Sequence, residues 1–235
     1  MIDDLEFLNR PAVSVTDAVQ SRRSIRAFSS RPVDPALLRR LIELAARAPS
    51  GGNVQPWKVI ILGGGERQAL SDAVHQRIAE NPAYDSPEYP IYPADLKEPH
   101  SSQRFKVGEA MYAQLDIPRA DKAARWRQVR RNYDFFGAPV GLLCYVDRQM
   151  GSAQWSDLGM FLQTLMLLLR EQGISSCAQE SWSVYHQTVN AVIQPPPELM
   201  LFCGLAIGYA DTEAPVNRLQ SERLPVQEFA DFRGI

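Results

Sequence analysis

This chain is short of the residues from which a protein builds a catalytic site unaided. Its three histidines, His75, His100 and His186, are isolated, with none of the i, i+4 or cysteine-partnered spacing of a metal site. No G-x-S-x-G elbow is present, which removes one common signature of a serine hydrolase. The three cysteines, Cys144, Cys177 and Cys203, form no C-x-x-C pair and carry no nucleophile signature. Each sits in or beside an apolar run, so they are expected as small buried hydrophobes in a reducing cytosol. Charge of one sign is scarce too: the formal net charge is −2, and no long basic face is there to hold nucleic acid. The greasiest segment, residues 160–169, is interrupted by Gln163 and Thr164. It falls far short of the roughly 20 apolar residues that a membrane span requires. The acidic start, Met1-Ile2-Asp3-Asp4, has no apolar core, so no secretory signal is expected. Gly63-Gly64-Gly65 lacks the following Lys-Ser/Thr of a nucleotide loop and reads as a turn. What remains, 235 residues at 45% hydrophobic and 22% charged, suits a globular protein with a substantial core.

One stretch is rich where the rest is poor. Ser21-Arg22-Arg23-Ser24-Ile25-Arg26-Ala27-Phe28 places three guanidiniums and two hydroxyls within eight residues. Guanidinium forks and hydroxyl donors make charge-assisted bonds to a phosphate monoester. A solvated basic turn is the competing reading. Ahead of this stretch, Ser14 caps a first helix, with Asp17 as the acidic half of a capping box. Behind it, Asp34-Pro35 opens a second helix whose stripe is Leu37, Leu38, Leu41, Ile42 and Ala45, and Pro49 stops it. Val59-Ile60-Ile61-Leu62 reads as a buried strand, with a helix from about Glu66. Residues 81–100, rich in Pro and Tyr and without a period, are either a lid or a plain surface insertion. Further helices are expected over 102–115 and 121–133, strands over 140–146, 174–178 and 201–209, and a central buried helix over 155–171. A short helix capped by Ser183 ends before Pro195-Pro196-Pro197. The sum is one α+β domain over residues 1–235, and pattern alone does not fix its strand order.

A second punctuated loop, Ala48-Pro49-Ser50-Gly51-Gly52-Asn53-Val54-Gln55-Pro56-Trp57, follows the second helix. In this order and spacing the two segments resemble the FMN-dependent nitroreductase family. Its members open with R-[RH]-S-x-[RK]-x-[FY], then a helix, then PS-x-x-N-x-Q-P-W; within it the chain is most similar to the nitrobenzoate-reductase-like branch. The resemblance implies a mixed, mostly antiparallel sheet wrapped by helices, built as an intertwined homodimer in the cytoplasm. It implies FMN as cofactor and NADH or NADPH as electron donor. Flavin carries its own hard chemistry, which accounts for the missing protein-only catalytic set.

Residue by residue, the resemblance puts Arg22, Arg23 and Ser24 on the FMN phosphate and ribityl chain, and Arg26 near the flavin N1–C2 carbonyl edge. It puts Pro49, Ser50, Gly51 and Asn53 in a loop that reaches the flavin from the partner subunit. Gln179, Glu180 and Ser181 match the segment whose backbone N–H faces flavin N5, and Arg223 matches a C-terminal phosphate-binding arginine. Ser221 stands where many relatives carry a lysine. Gln103 or Arg104 supplies a second polar group at the pyrimidine edge. Asn132, Tyr133, Phe135 and Phe136 line the substrate face, or the aromatic pair belongs to the core. The implied activity is ping-pong reduction of nitroaromatic compounds. Quinone or enone reduction, reductive dehalogenation, and flavin binding without turnover are the alternatives.

Overall fold

Side-chain hydrogen bonds set where the first helices begin. The computed structural model describes residues 5–85 and 87–234; the signal-free start expected at residues 1–4 lies outside them. Helix α1 (Val15–Ser21) is capped by Ser14, whose hydroxyl accepts from Asp17 N at 3.1 Å, while the Asp17 carboxylate accepts from Val13 N at 2.9 Å. Helix α2 (Pro35–Ala45) has Asp34 as its cap, accepting from Ala36 N at 2.9 Å, and buries Leu38, Leu41 and Ala45 as the stripe requires. Strand β1 (Lys58–Gly63) runs directly into α3 (Gly64–Glu80), which therefore begins inside the triple glycine rather than after it. After the irregular segment come α4 (His100–Gln114), α5 (Lys122–Arg130, capped by Asp121) and a 3-10 helix, Arg131–Gly137. Strand β2 (Val140–Asp147), α6 (Ser152–Glu171) and β3 (Ser175–Gln179) follow. A 3-10 helix, Glu180–Tyr185, leads to α7 (His186–Ile193), β4 (Leu199–Gly208) and a last short turn of helix at Pro215–Arg218.

The four strands form one sheet in the order β1-β2-β4-β3, every neighbouring pair antiparallel. Its two faces read off the alternation of β2. Leu142, Cys144 and Val146 point into a cluster with Leu38 and Leu41 of α2 and Leu158, Phe161 and Leu165 of α6. Leu143 and Tyr145 point the other way, toward Leu70 and Val74 of α3, Val189 of α7, and the rings of Phe135 and Trp182. All three cysteines are buried and unpaired, as expected.

Three expectations are corrected. Strand β1 is not a buried strand: it is an edge, and among its residues only Leu62 is buried, with Ile61 38% exposed. Helix α6 is not buried all round, because Met160 and Gln163 on its flank face outward. Ser183 caps no helix; its hydroxyl donates to Glu180 O at 2.7 Å inside the 3-10 turn, and α7 starts at His186. In the irregular segment, Asp85 accepts from Gln187 N at 3.0 Å, Glu88 bonds Arg148, and the Tyr89 hydroxyl donates to Phe202 O. These contacts fasten Asp85, Glu88 and Tyr89 to the body of the protein.

Candidate functional site

The Arg-rich stretch leaves α1 as an extended strap along the free edge of β3. Ile25 N donates to Ser176 O at 3.1 Å, and Ser24 and Ser176 form a parallel bridge, the sheet's one parallel feature among the described residues. Side chains along an extended segment alternate in direction. Ile25 turns into the core at 1% exposure, and Arg22, Ser24 and Arg26 line a cavity of about 360 Å³. The far wall is chain 219–223, which brings Arg223 opposite Arg22 across 201 positions of sequence separation, 223 minus 22.

The basic residues are used differently. The Arg22 guanidinium is half-buried and makes no hydrogen bond among the described residues; burial lowers its pKa, and the neighbouring Arg223 lowers it further. Arg23 lines the same cavity, with its guanidinium 4.9 Å from the Phe7 ring centroid and donating to Arg218 O at 3.5 Å. Arg26 folds back onto the strap, donating to Ser24 O at 3.1 Å. Arg223 donates to the Ser221 hydroxyl at 2.7 Å, so Ser221 helps to orient this arginine. The Ser21 hydroxyl is already engaged, accepting from buried Arg170 at 3.2 Å and donating to Asp17 O. Below the strap, burial pushes the Cys177 thiol up in spite of Arg26 and Arg22 nearby, which keeps it neutral.

A second cavity, of about 410 Å³, shares the 219–223 wall and opens against α4. Gln103 and Lys106 line it one helical turn apart. Arg104 does not; its guanidinium sits 4.1 Å above the Tyr92 ring. Lys106 is a residue that sequence reasoning missed, though its i+3 spacing from Gln103 is a signal that points to it.

At the exit of β3, Gln179 is 2% exposed and donates to Asn132 O at 2.8 Å and Asn132 Oδ1 at 3.2 Å. Because Ser176 gives its carbonyl to the strap, Ala178 also turns its backbone groups to the sheet edge, beyond the strap's single bridge. The Glu180 carboxyl makes no hydrogen bond among the described residues, and desolvation pushes its pKa up. The Tyr133 hydroxyl donates to Ser181 O at 3.3 Å. Tyr133, Phe135 and Phe136 are at most 2% exposed and belong to the core: of the two readings of the aromatic pair the core one holds in this chain, and Tyr133 lines neither cavity. Asn132 serves the interior too, through Gln179.

Pro49, Ser50, Gly51 and Asn53 are not brought to either cavity within this chain. They form a protruding loop with left-handed backbone at Gly52, Asn53 and Gln55 (φ 58°, 57° and 50°), closed by Gln55 N donating to the Ser50 hydroxyl at 3.0 Å. Gly51 N reaches back to the buried Asp157 carboxylate of α6 at 3.3 Å, a tie the sequence did not suggest.

The profile of the nitroreductase family matches residues 19–209, from the last residues of α1 to the end of the sheet. A curated relative, 4-nitrobenzoate reductase of Pseudomonas putida, is 38% identical over 216 residues, covering 92% of this chain and 94% of its own. Among solved structures, the FMN and NADPH-dependent nitroreductase NfnB of Sphigopyxis sp. strain HMH superposes with a TM-score of 0.92 at 50% identity, covering 95% of this chain and all of that one. The FMN-dependent nitroreductase NfnB of Mycobacterium smegmatis, solved in complex with NADPH, gives 0.88 at 30% identity, covering 93% and 97%. The fold is therefore shared with these nitroreductases over nearly the whole chain, and this chain belongs to the nitroreductase family.

Proposed function

We propose that this protein is an FMN-dependent oxidoreductase that takes hydride from NADH or NADPH and passes electron pairs to nitroaromatic acceptors. The observation that carries the reading is Arg22, a half-buried guanidinium with no hydrogen-bonding partner among the described residues, held near a second cation, Arg223. A half-buried cation with a second, exposed cation facing it favours an anion between them. The phosphate of FMN fits that demand, with Ser24 adding a hydroxyl donor and Arg23 flanking. Gln103 and Lys106 offer polar groups to a flavin ring in the adjoining cavity, between apolar Val107 and Leu219. The donor named for the Mycobacterium neighbour, NADPH, and the acceptor named for the Pseudomonas relative, a nitrobenzoate, fall in the proposed classes.

When bound, FMN supplies the redox chemistry, accepting hydride and releasing electrons in pairs. The chain's own residues bind and orient. Arg22, Ser24 and Arg223 anchor the phosphate, and the open β3 edge from Ala178 to Ser181 presents backbone groups toward the ring. Arg26 places a fixed positive charge at the pyrimidine edge, where it favours the developing negative charge. Two successive two-electron steps convert a nitro group to the nitroso compound and then to the hydroxylamine.

The protein acts as a cytoplasmic homodimer in this reading. Among the described residues no helix is long and apolar enough to cross a membrane. Exposed apolar side chains on α1 (Val15, 76%) and near the C-terminus (Phe229, 70%; Phe232, 63%) are candidates for cover by a second copy, and the 49–53 loop then completes the partner's flavin site. The test is the visible spectrum of the purified protein, identification of the released cofactor, and NADH or NADPH bleaching before a panel of nitroaromatic and quinone acceptors. A colourless protein that takes up no FMN ends the reading.

A further inference from the structure

We propose that Asn217 is a positioning residue that sets the separation of the two halves of the phosphate grip before any ligand arrives. The proposal rests on the FMN reading above. Asn217 lies in the Pro215–Arg218 turn, is 1% exposed, and uses both ends of its amide. Its Oδ1 accepts from Arg26 N at 2.9 Å; its Nδ2 donates to Ala27 O and to Asp211 O, each at 2.8 Å. One side chain thus bolts the strap to the 211–218 segment. Two residues after it, the chain begins the wall that carries Arg223.

Electrostatics gives the bolt its purpose. Arg22 and Arg223 line one cavity, close enough for Arg223 to disfavour the charge on Arg22, and no carboxylate is among the groups that influence Arg22. Without an anion, that repulsion drives strap and wall apart. Another tie near the arginines is longer, Arg23 to Arg218 O at 3.5 Å. The remaining ties, such as Asp211 N to Ala27 O at 3.0 Å and Ser29 N to Tyr209 O at 2.9 Å, lie further along the strap from Arg22. Removing the amide strands the buried Arg26 N–H, which has no second acceptor among the described residues. Aspartate cannot replace it, because a carboxylate would face the Ala27 and Asp211 carbonyls with no proton to give. Holding like charges at a fixed spacing in advance lets a phosphate bind without paying to gather them.

The test is a binding cycle on the full-length protein freed of flavin, with FMN and riboflavin as probes. Asn217→Ala should lower the ratio of FMN to riboflavin affinity by about tenfold or more, the scale of one charge-assisted bond. Arg223→Ala should cost roughly tenfold to a hundredfold in FMN affinity in the parent, yet about threefold or less in the Asn217→Ala background, because Arg223 is no longer in place there. A merely structural asparagine would lower the melting temperature and leave the cost of Arg223→Ala the same in both backgrounds; that additivity overturns the proposal. If Asn217→Ala does not fold, hydrogen exchange at the Arg26 amide in the flavin-free parent decides instead. Slow exchange before FMN is added supports a preset grip, and protection that appears only with FMN refutes it. A parent that binds neither FMN nor riboflavin is a different result, and removes the flavin reading beneath the proposal.

Discussion

Arg22 and Arg26 sit four residues apart on one strap, and the structure gives them different surroundings. The Arg22 guanidinium has no hydrogen-bond partner among the described residues, whereas Arg26 is held by its bond to Ser24 O and by Asn217 on its backbone. A locked cation suits tuning better than gripping. Arg26→Leu should therefore keep FMN bound yet lower the two-electron potential, by about 30 mV for every 1.4 kcal/mol of stabilisation lost. Stopped-flow reduction by NADPH should slow in parallel; unchanged potential and rate would leave Arg26 no part in tuning. The cysteines make a second prediction at this scale. Burial raises the Cys177 thiol, and a hydrogen bond with Cys144, then burial, raises Cys203. All three thiols should ignore a disulfide reagent near neutral pH and react only after denaturation. Site residues were legible in the sequence where they carried a motif of their own, as Arg22 and Ser24 do. Asn217 and Asp157 were not: each works through a backbone group far away, 191 positions from Arg26 and 106 from Gly51, and no local spacing announces such a pairing.

Elements were legible to the extent that local chemistry decides them. Ser14, Asp34 and Asp121 cap the helices that their types foretell, because a cap is a contact between near neighbours in the chain. Strand β1 misled because an apolar run looks the same in a central strand and at a partly exposed edge. The exit of β3 is governed by packing that no local pattern carries. Phe135 and Trp182 stack at 4.4 Å over the sheet, and they fit because Gly141 and Gly204 have no side chains there. A Cβ on Gly204 would stand 2.3 Å from Trp182 Cδ1, and one on Gly141 would stand 2.4 Å from Phe135 Cζ. Gly204→Ala must displace the indole, which bonds Gln179 and sits in the Glu180–Tyr185 turn. The expected cost is about 1–3 kcal/mol of stability, together with weaker flavin binding as the turn shifts. Thermal melting and FMN titration measure the two separately; a variant unchanged in both would show that the ring has room to move.

At the scale of the whole molecule, the two segments of the motif pattern part company. The strap and the 219–223 wall meet in one chain, while the 49–53 loop projects from the far end of α2 and touches neither cavity. Its left-handed run and its tie to Asp157 hold it in a set shape that nothing inside this chain uses. A homodimer in which each loop completes the partner's site makes a prediction that a single-chain site cannot match. Arg22→Ala with Arg223→Ala disables the grip. Gly51→Val disables the loop from outside, since a Cβ at Gly51 meets nothing within 4 Å in its own chain and so leaves that fold undisturbed. Each variant alone should lack flavin and activity. In a hybrid dimer of the two, one site takes both defects, and the other joins the intact strap of the loop variant to the intact loop of the grip variant. Random pairing makes about half the dimers hybrid, so about a quarter of all sites should recover FMN and nitroreductase activity on co-expression. If every site were built from one chain, no mixture of the two variants could regain any, and zero recovery in a verified hybrid would refute the shared site.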